Sequence, residues 1–353
     1  MFVGAGVLPS TVGIVEKKTT FKEIKSPGYI QNLIDNASDG DTIYIPSGIY
    51  YENIIIDTSI SLVGEDKDTT IIDGSDSGDV VYISADWVNI SGFTIQNSGG
   101  GWVAGIAIGS NYNNITGNSI SNNDNGIYLD ESSSNTITGN NISSNHEYAI
   151  YFDDSYGNNI TGNTISNNEY CIGLYADCEN NTVTGNTISN NYVGISVGPG
   201  DYNNYNTISG NNISYNDFGI HLGDYSNNNV IYHNNFIINY ISNAIDKGNN
   251  IWDDGEYGNY WSDYQKKYPD AKKKTFKGIW DTPYEIEGGD NKDNFPLINQ
   301  YPKSVIKSKS RAKAFNYNFP LLNWLFERFP NAFPVLRYLV KLYTPSLPLF
   351  SFN

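Results

Sequence analysis

Four carboxylates and two phenols carry the chemistry most directly legible in this chain. Asp130, Asp153, Asp154 and Asp177 follow three short apolar runs of similar make-up, and Tyr128 and Tyr151 stand inside the first two. If those runs are strands stacked in register, like positions one turn apart sit ~4.8 Å from each other and two turns apart ~10 Å. Such separations suit glycoside hydrolysis, in which one carboxyl donates a proton and its partner acts as nucleophile or base. In that arrangement Asp153 or Asp154 is the acid, Asp130 or Asp177 the partner, and Tyr128 and Tyr151 support the sugar ring. A second file of acids, Asp124, Glu147, Glu169 and Asp217, precedes the same runs and a later one that contains His221, which Asp224 follows. The outward side chains between the files read Ala107, Tyr128, Tyr151, Gly173, Ser196 and His221. Acids on either side of aromatic rings fit neutral sugars, through stacking and hydroxyl hydrogen bonds, or a divalent cation such as Ca²⁺. The plainer alternative is a solvated acidic face on which Tyr is simply a good strand residue.

Charge placement narrows these readings. The 353 residues carry 21 Lys and Arg against 38 Asp and Glu, a net charge of -17, which argues against a nucleic-acid partner. From Asp68 to Asp246 there are 18 acidic residues and no Lys or Arg at all, while the rest of the chain holds 21 basic against 20 acidic residues. That middle stretch repels polyanions. Enzymes that cleave uronate polymers need cations to hold the substrate carboxylates, and none is available there.

The elements that position these residues follow from a repeat. Gly92, Gly117, Gly139, Gly162, Gly185, Gly210 and, in the glycine's place, His233 recur every 22 to 25 residues, each after a short β-branched run. The second half of the unit alternates apolar and outward residues, as in Gly126-Ile127-Tyr128-Leu129, and this period of two specifies strands. A unit so short holds two or three strands joined by Asn, Ser and Gly turns, with no room for a helix. Stacked units of this size make an all-β, single-stranded parallel β-helix of ~22–25 residues per coil. Its core is expected from Ile115, Ile120, Ile127 and Leu129 stacking on Ile137, Ile142, Ile150 and Phe152 of the next coil. Open ends must be covered. Tyr29 to Ala37, with Ile30, Leu33, Ile34 and Ala37 on one helical face, is the expected N-terminal cap, and the solenoid is expected to stop near Asn250.

The run Ile43-Tyr44-Ile45-Pro46-Ser47-Gly48-Ile49-Tyr50, the repeat, and the later Gly258-Asn259-Tyr260-Trp261-Ser262-Asp263-Tyr264 and Asp281-Thr282-Pro283-Tyr284 resemble the NosD-type right-handed β-helix proteins. The resemblance covers about residues 27 to 300. It implies a right-handed, pectin-lyase-like fold and an exported protein at the cell surface, extracellular or periplasmic. Many such proteins are archaeal or bacterial surface proteins whose names mention copper or carbohydrate. Relatives often carry an Asp/Gly-rich, calcium-loop-like run before Asp-Thr-Pro-Tyr, whereas here Lys272, Lys273, Lys274 and Lys277 stand in place of oxygen ligands. Three His, two Cys and one Met, at residue 1, are a poor copper set, and His146, His221 and His233 fall at unrelated points of the repeat. The pair Asp153-Asp154 is similar to the paired Asp of polygalacturonase-like β-helices, but no Gly-His-Gly or Arg-x-Lys follows it.

Other residues read as structural. Asn118, Asn140, Asn163, Asn186, Asn211 and Asn234 form a file expected to stack as an amide ladder inside a turn. Cys171 and Cys178 flank an extended run that holds them ~20 Å apart, out of disulfide reach. The sequons at Asn36, Asn89, Asn114, Asn141, Asn159, Asn180 and Asn212 are partly by-products of the repeat, and only those outside the stack could carry sugar.

The chain thus divides into 1–26, a truncated signal segment and linker; 27–250, the capped β-helix; 251–300, a capping segment; and 301–353, a basic linker and amphipathic tail. In the tail Leu321, Leu322, Leu325, Phe326 and Phe329 share one helical face and Leu336, Leu339, Val340 and Tyr343 another. Residues 314–353 are expected to dock on the solenoid or to attach it to a membrane surface or partner protein. The leading expectation is a non-catalytic exported protein that binds a glycan or cell-wall polymer or serves as a surface component. The runner-up is a carbohydrate-active enzyme working on neutral sugar.

Overall fold

In the computed structural model, which describes residues 26–198 and 202–301, each regular coil gives one short strand to each of three parallel sheets. The first sheet runs from Thr42–Ile45 to Val230–Tyr232 in nine strands. The second has ten strands, from Gly48–Tyr51 to Tyr260–Trp261, and the third nine, from Ile54–Ile56 to Ser242–Asp246. Three-residue strands such as Asn114–Thr116 and Ser119–Ser121 bury only their central isoleucine, whereas Asn125–Asp130 in the third sheet is longer and buries Ile127 and Leu129. The expected columns form: Ile115 pairs with Ile137, Ile120 with Ile142, Ile127 with Ile150 and Leu129 with Phe152, all fully buried.

The corners hold the coils in register. Gly117, Gly139, Gly162, Gly185 and Gly210 all have φ near +65°, a conformation glycine adopts without strain, and the ladder asparagine follows each of them. Asn140 illustrates the ladder. Its side-chain oxygen accepts from the backbone N–H of Asn118 (2.9 Å), its own N–H donates to Asn163 Oδ1 (2.9 Å), and its Nδ2 donates to Ile115 O (2.8 Å). The ladder expected from the sequence extends one rung further, to Asn259. Two more ladders, at the other corners, escaped the sequence reading: one from Asn113 through Asn135, Asn158, Asn181, Asn206 and Asn229 to Asn250, the other from Asn123 through Asn145, Asn168, Asn191 and Asn216 to Asn239. The sequon asparagines on strands, Asn89, Asn114, Asn141, Asn159 and Asn212, are different residues and point outward.

Both ends are covered. Helix Tyr29–Asp35 buries Ile30 and Ile34, and the Glu52 carboxylate accepts from the first helical N–H groups, Ile30 (3.0 Å) and Gln31 (3.2 Å). Leu33, expected on the same inward face, is 38% exposed, because a helix of two turns touches the first coil along one narrow line. At the other end the boundary near Asn250 is not sharp, since strand Tyr260–Trp261 adds to the second sheet beyond it. Phe236, Trp261 and Tyr284 stack there in parallel, with centroids 4.3 and 4.0 Å apart. Cys171 and Cys178 are buried and free. The candidate signal segment and the amphipathic tail lie outside the described residues. Among the described residues no helix is long and apolar enough to cross a membrane.

Candidate functional site

The third sheet places Ala107, Tyr128, Tyr151, Gly173, Ser196 and His221 in one register file. The rings of Tyr128 and Tyr151 lie 5.4 Å apart. They belong to a wider cluster than the sequence suggested. Trp102 reaches Tyr151 from a loop at 5.7 Å, Tyr148 packs on Tyr151 (4.8 Å) and Tyr170 (4.9 Å), and Tyr175 stacks on Tyr151 at 5.5 Å. Tyr192 and Phe218 continue the series edge to face. Gly173 makes room for it: a Cβ there would lie 2.7 Å from both the Tyr148 and Tyr175 rings, so the gap in the file is filled by neighbours and is no subsite. The available signal was an aromatic just after the acid, at Tyr148, Tyr170 and Phe218, with Tyr192 in the acid's own place in the coil between.

The acids sort into distinct roles. Asp130 and Asp153 are register partners, and the Tyr128 hydroxyl lies 3.4 Å from Asp130 Oδ1 and 3.3 Å from Asp153 Oδ2. One phenol thus serves two carboxylates, and it can donate to only one of them at a time. Burial, then the charge of Asp154, raises the Asp153 carboxyl above the ordinary range, against the bond from Tyr128. The other two members of the expected set do not join the pair. Asp153 faces Tyr175 in the next coil, and Asp154 and Asp177 sit exposed at corners with φ of +45° and +48°. The strand Tyr170–Tyr175 carries Tyr175 where the previous coil has its acid, and this shifts Asp177 past the end of the file.

Asp124 points elsewhere than expected: its Oδ2 accepts from the N–H groups of Gly101 (3.0 Å) and Trp102 (2.8 Å), pinning the loop that presents Trp102. Glu147 and Glu169 flank Tyr170, whose phenol is raised by burial first and by Glu169 next. His221 is separated from Tyr151 by Gly173 and Ser196. Burial and then Lys247 lower its pKa, partly offset by the exposed Asp224. Burial also raises Tyr128 and Tyr148 and pushes Tyr151 up to about 12, so these phenols stay neutral donors at physiological pH. Tyr148 donates to the Tyr175 hydroxyl (3.3 Å), which pairs with Ser196 Oγ at 2.9 Å. The face therefore offers flat rings, neutral hydroxyls and a paired carboxylate, the set that recognises an uncharged polyol.

A cavity of about 720 Å³ at the C-terminal end, lined by Ile238, Ile241, Tyr260, Lys267, Tyr284 and Glu287, was not legible in the sequence. Its walls come from the last coil and the capping segment, which meet only in the folded chain.

Three parallel sheets with ladder corners define the parallel β-helix class, and the family match makes it the right-handed one. Within it, the chain belongs to the family described as periplasmic copper-binding protein (NosD), whose model matches residues 34–204 and 200–266. None of the curated proteins matches it. Among solved structures it is similar to Geobacillus virus E2 ORF18 (17% identity, TM-score 0.47, 64% of this chain and 56% of that one). It is also similar to the alginate lyase of Paenibacillus sp. str. FPU-7 (15%, 0.45, 66% and 94%) and to the A-module of Azotobacter vinelandii mannuronan C-5 epimerase AlgE6 (15%, 0.47, 69% and 78%). The chain spans just over half of the virus protein.

The copper in the family's description can be tested against the side chains. Among the described residues no three His, Cys, Asp or Glu side chains converge on a metal-sized space. His233 stacks on Tyr301 at 4.0 Å, His221 lies on the third sheet, and His146 sits at an exposed corner. This donor set does not fit a copper centre.

Proposed function

We propose that this chain is an exported, non-catalytic β-helix that binds a neutral glycan or cell-wall polymer on its third sheet, over Tyr151, Tyr128 and Trp102. The observation that carries this reading is the ring cluster with neutral phenols beside the Asp130–Asp153 pair. Sugar rings stack on such surfaces by their C–H faces while their hydroxyls bond to the phenols and carboxylates. The absence of Lys and Arg from Asp68 to Asp246 directs the preference to uncharged polymers. The word periplasmic in the family's description supports export.

A second reading rests on Asp153. A half-buried carboxyl with raised pKa one coil from Asp130 could serve as a general acid in glycoside hydrolysis. One assay separates the two: retention of the full chain on neutral polysaccharides, with and without calcium, alongside release of reducing sugar. Tyr128→Ala/Tyr151→Ala is expected to weaken retention about tenfold or more. Unaltered retention would reject the site, and sugar release that disappears in Asp153→Asn would select the enzyme.

A further inference from the structure

Trp87 and Tyr112 form a second aromatic feature, at the corner that leads from the third sheet to the first. Their rings stack nearly parallel, with planes 7° apart and centroids at 4.4 Å, yet both are open to solvent, at 63% and 48% exposure. Both residues also hold left-handed backbone, with φ of +63° and +60°. Later coils fill this corner with Ser134, Gly157, Asn180, Tyr205 and Asn228, so Trp87 and Tyr112 are the ring-bearing residues that follow one another in the file, in a conformation that disfavours Trp and Tyr. The corner is well supported from below. Asp86 Oδ1 accepts from Asn111 N (2.7 Å), and Asn111 Oδ1 accepts from both Ser133 N and Ser133 Oγ (2.8 Å each). Strained backbone, a rigid base and two large rings in water are an arrangement that folding alone does not call for, since neither ring enters the core.

We infer that Trp87 and Tyr112 are a separate saccharide platform, on which one pyranose ring of a neutral glycan stacks on an outer ring face. Ser134, one coil on, is too short to cover Tyr112. The acidic surroundings repel anionic ligands, and Asp86 and Asn111 supply polar groups close to the rings. The platform is distinct from the cluster around Tyr151: Trp102 precedes strand Ala104–Ile108, whereas Trp87 follows strand Val81–Ile83, so the two tryptophans mark opposite edges of the same sheet.

Among the described residues Trp87 and Trp102 are the exposed tryptophans, and Trp252, Trp261 and Trp280 are buried; Trp324 lies outside the described residues, so the emission change assigned to the platform is the part that Trp87→Phe removes. Trp102→Phe in the full chain would be titrated with neutral gluco-, manno- and xylo-hexasaccharides and, separately, with tetramethylammonium chloride. A saturable emission change with at least one hexasaccharide is expected. It should be lost when Trp87→Phe is added, weakened about tenfold by Tyr112→Ala, and kept in Tyr128→Ala/Tyr151→Ala. That last variant makes failure of the third-sheet site distinguishable from failure of the platform. No saturable change with any sugar, an affinity that Tyr112→Ala leaves unaltered, or a response to the quaternary ammonium alone would overturn the inference, the last by making the pair a cation site.

Discussion

Asp293→Ala should detach the C-terminal cap from the coils. The Asp293 carboxylate is fully enclosed and accepts three hydrogen bonds, from Asn259 N (2.7 Å), Trp261 Nε1 (2.8 Å) and Phe295 N (2.9 Å). It thereby joins residues 258–261, which end the second sheet, to the segment at 293–295. Gly258 is glycine because a Cβ there would overlap the carboxylate. Alanine would leave three buried donors without acceptors, at ~1–3 kcal/mol each, so a loss of about 3 kcal/mol or more is expected. Coils in a solenoid contact mainly their neighbours, so the loss should be local: hydrogen exchange at Tyr284–Tyr301 rises while the central strands stay protected. The same group gives a pH dependence. Burial outweighs the three donors and moves Asp293 from the ordinary 3.8 to about 7. The folded chain then holds a proton that the unfolded chain has released between those values. Stability from this group is complete below about pH 4 and is lost as pH rises through 7. Thermal melts should therefore fall from pH 5 to pH 8, and the slope should be shallower in Asp293→Asn, with Asp246, Asp153 and Asp79, also raised by burial, adding to the fall and His221 and His233, lowered by burial, opposing it.

Neighbouring asparagines should differ sharply. Asn140→Ala removes a ladder rung, stranding the N–H of Asn118 and the carbonyl of Ile115 in the interior, while the backbone N–H at position 140 keeps Asn163 Oδ1 as its acceptor. A cost of about 2–5 kcal/mol is expected from the stranded groups. Asn141, the next residue, is exposed and points outward from its strand, so Asn141→Ala should change stability by less than about 0.5 kcal/mol. Urea titrations of the two variants provide the comparison. Equal effects would mean that the ladder adds nothing beyond the apolar columns.

Much of this architecture is written in local spacing. Ile115, Ile120 and Ile127 could be assigned inward because alternation and repeat length together leave few ways to bury them. The file from Tyr128 to His221 followed from the same register, since a residue's place in its own coil fixes its neighbours above and below. What failed to show was anything set by side-chain reach. Asp124 lies in the acidic file, but its carboxylate turns back to the amides of Gly101 and Trp102, a loop whose path the repeat does not specify. Asp177 missed the pair because its coil carries Tyr175 at the acid's position. Tyr148 was passed over because its ring swings over Gly173 to join Tyr151, which depends on a missing side chain one coil away. The buried carboxylates Asp246 and Asp293 were equally hidden, since their partners Trp252 and Trp261 become neighbours only when the cap folds back on the last coil.

On the proposed reading, an acidic, aromatic third-sheet face selects uncharged sugar. Calorimetric titration of the full chain with neutral and uronate hexasaccharides at matched ionic strength tests it most directly. Heat from the neutral chains, little from the uronates, and loss of that heat in Tyr128→Ala/Tyr151→Ala is the result in keeping with this account. Uronate binding as tight as neutral, or neutral binding indifferent to both tyrosines, would contradict it.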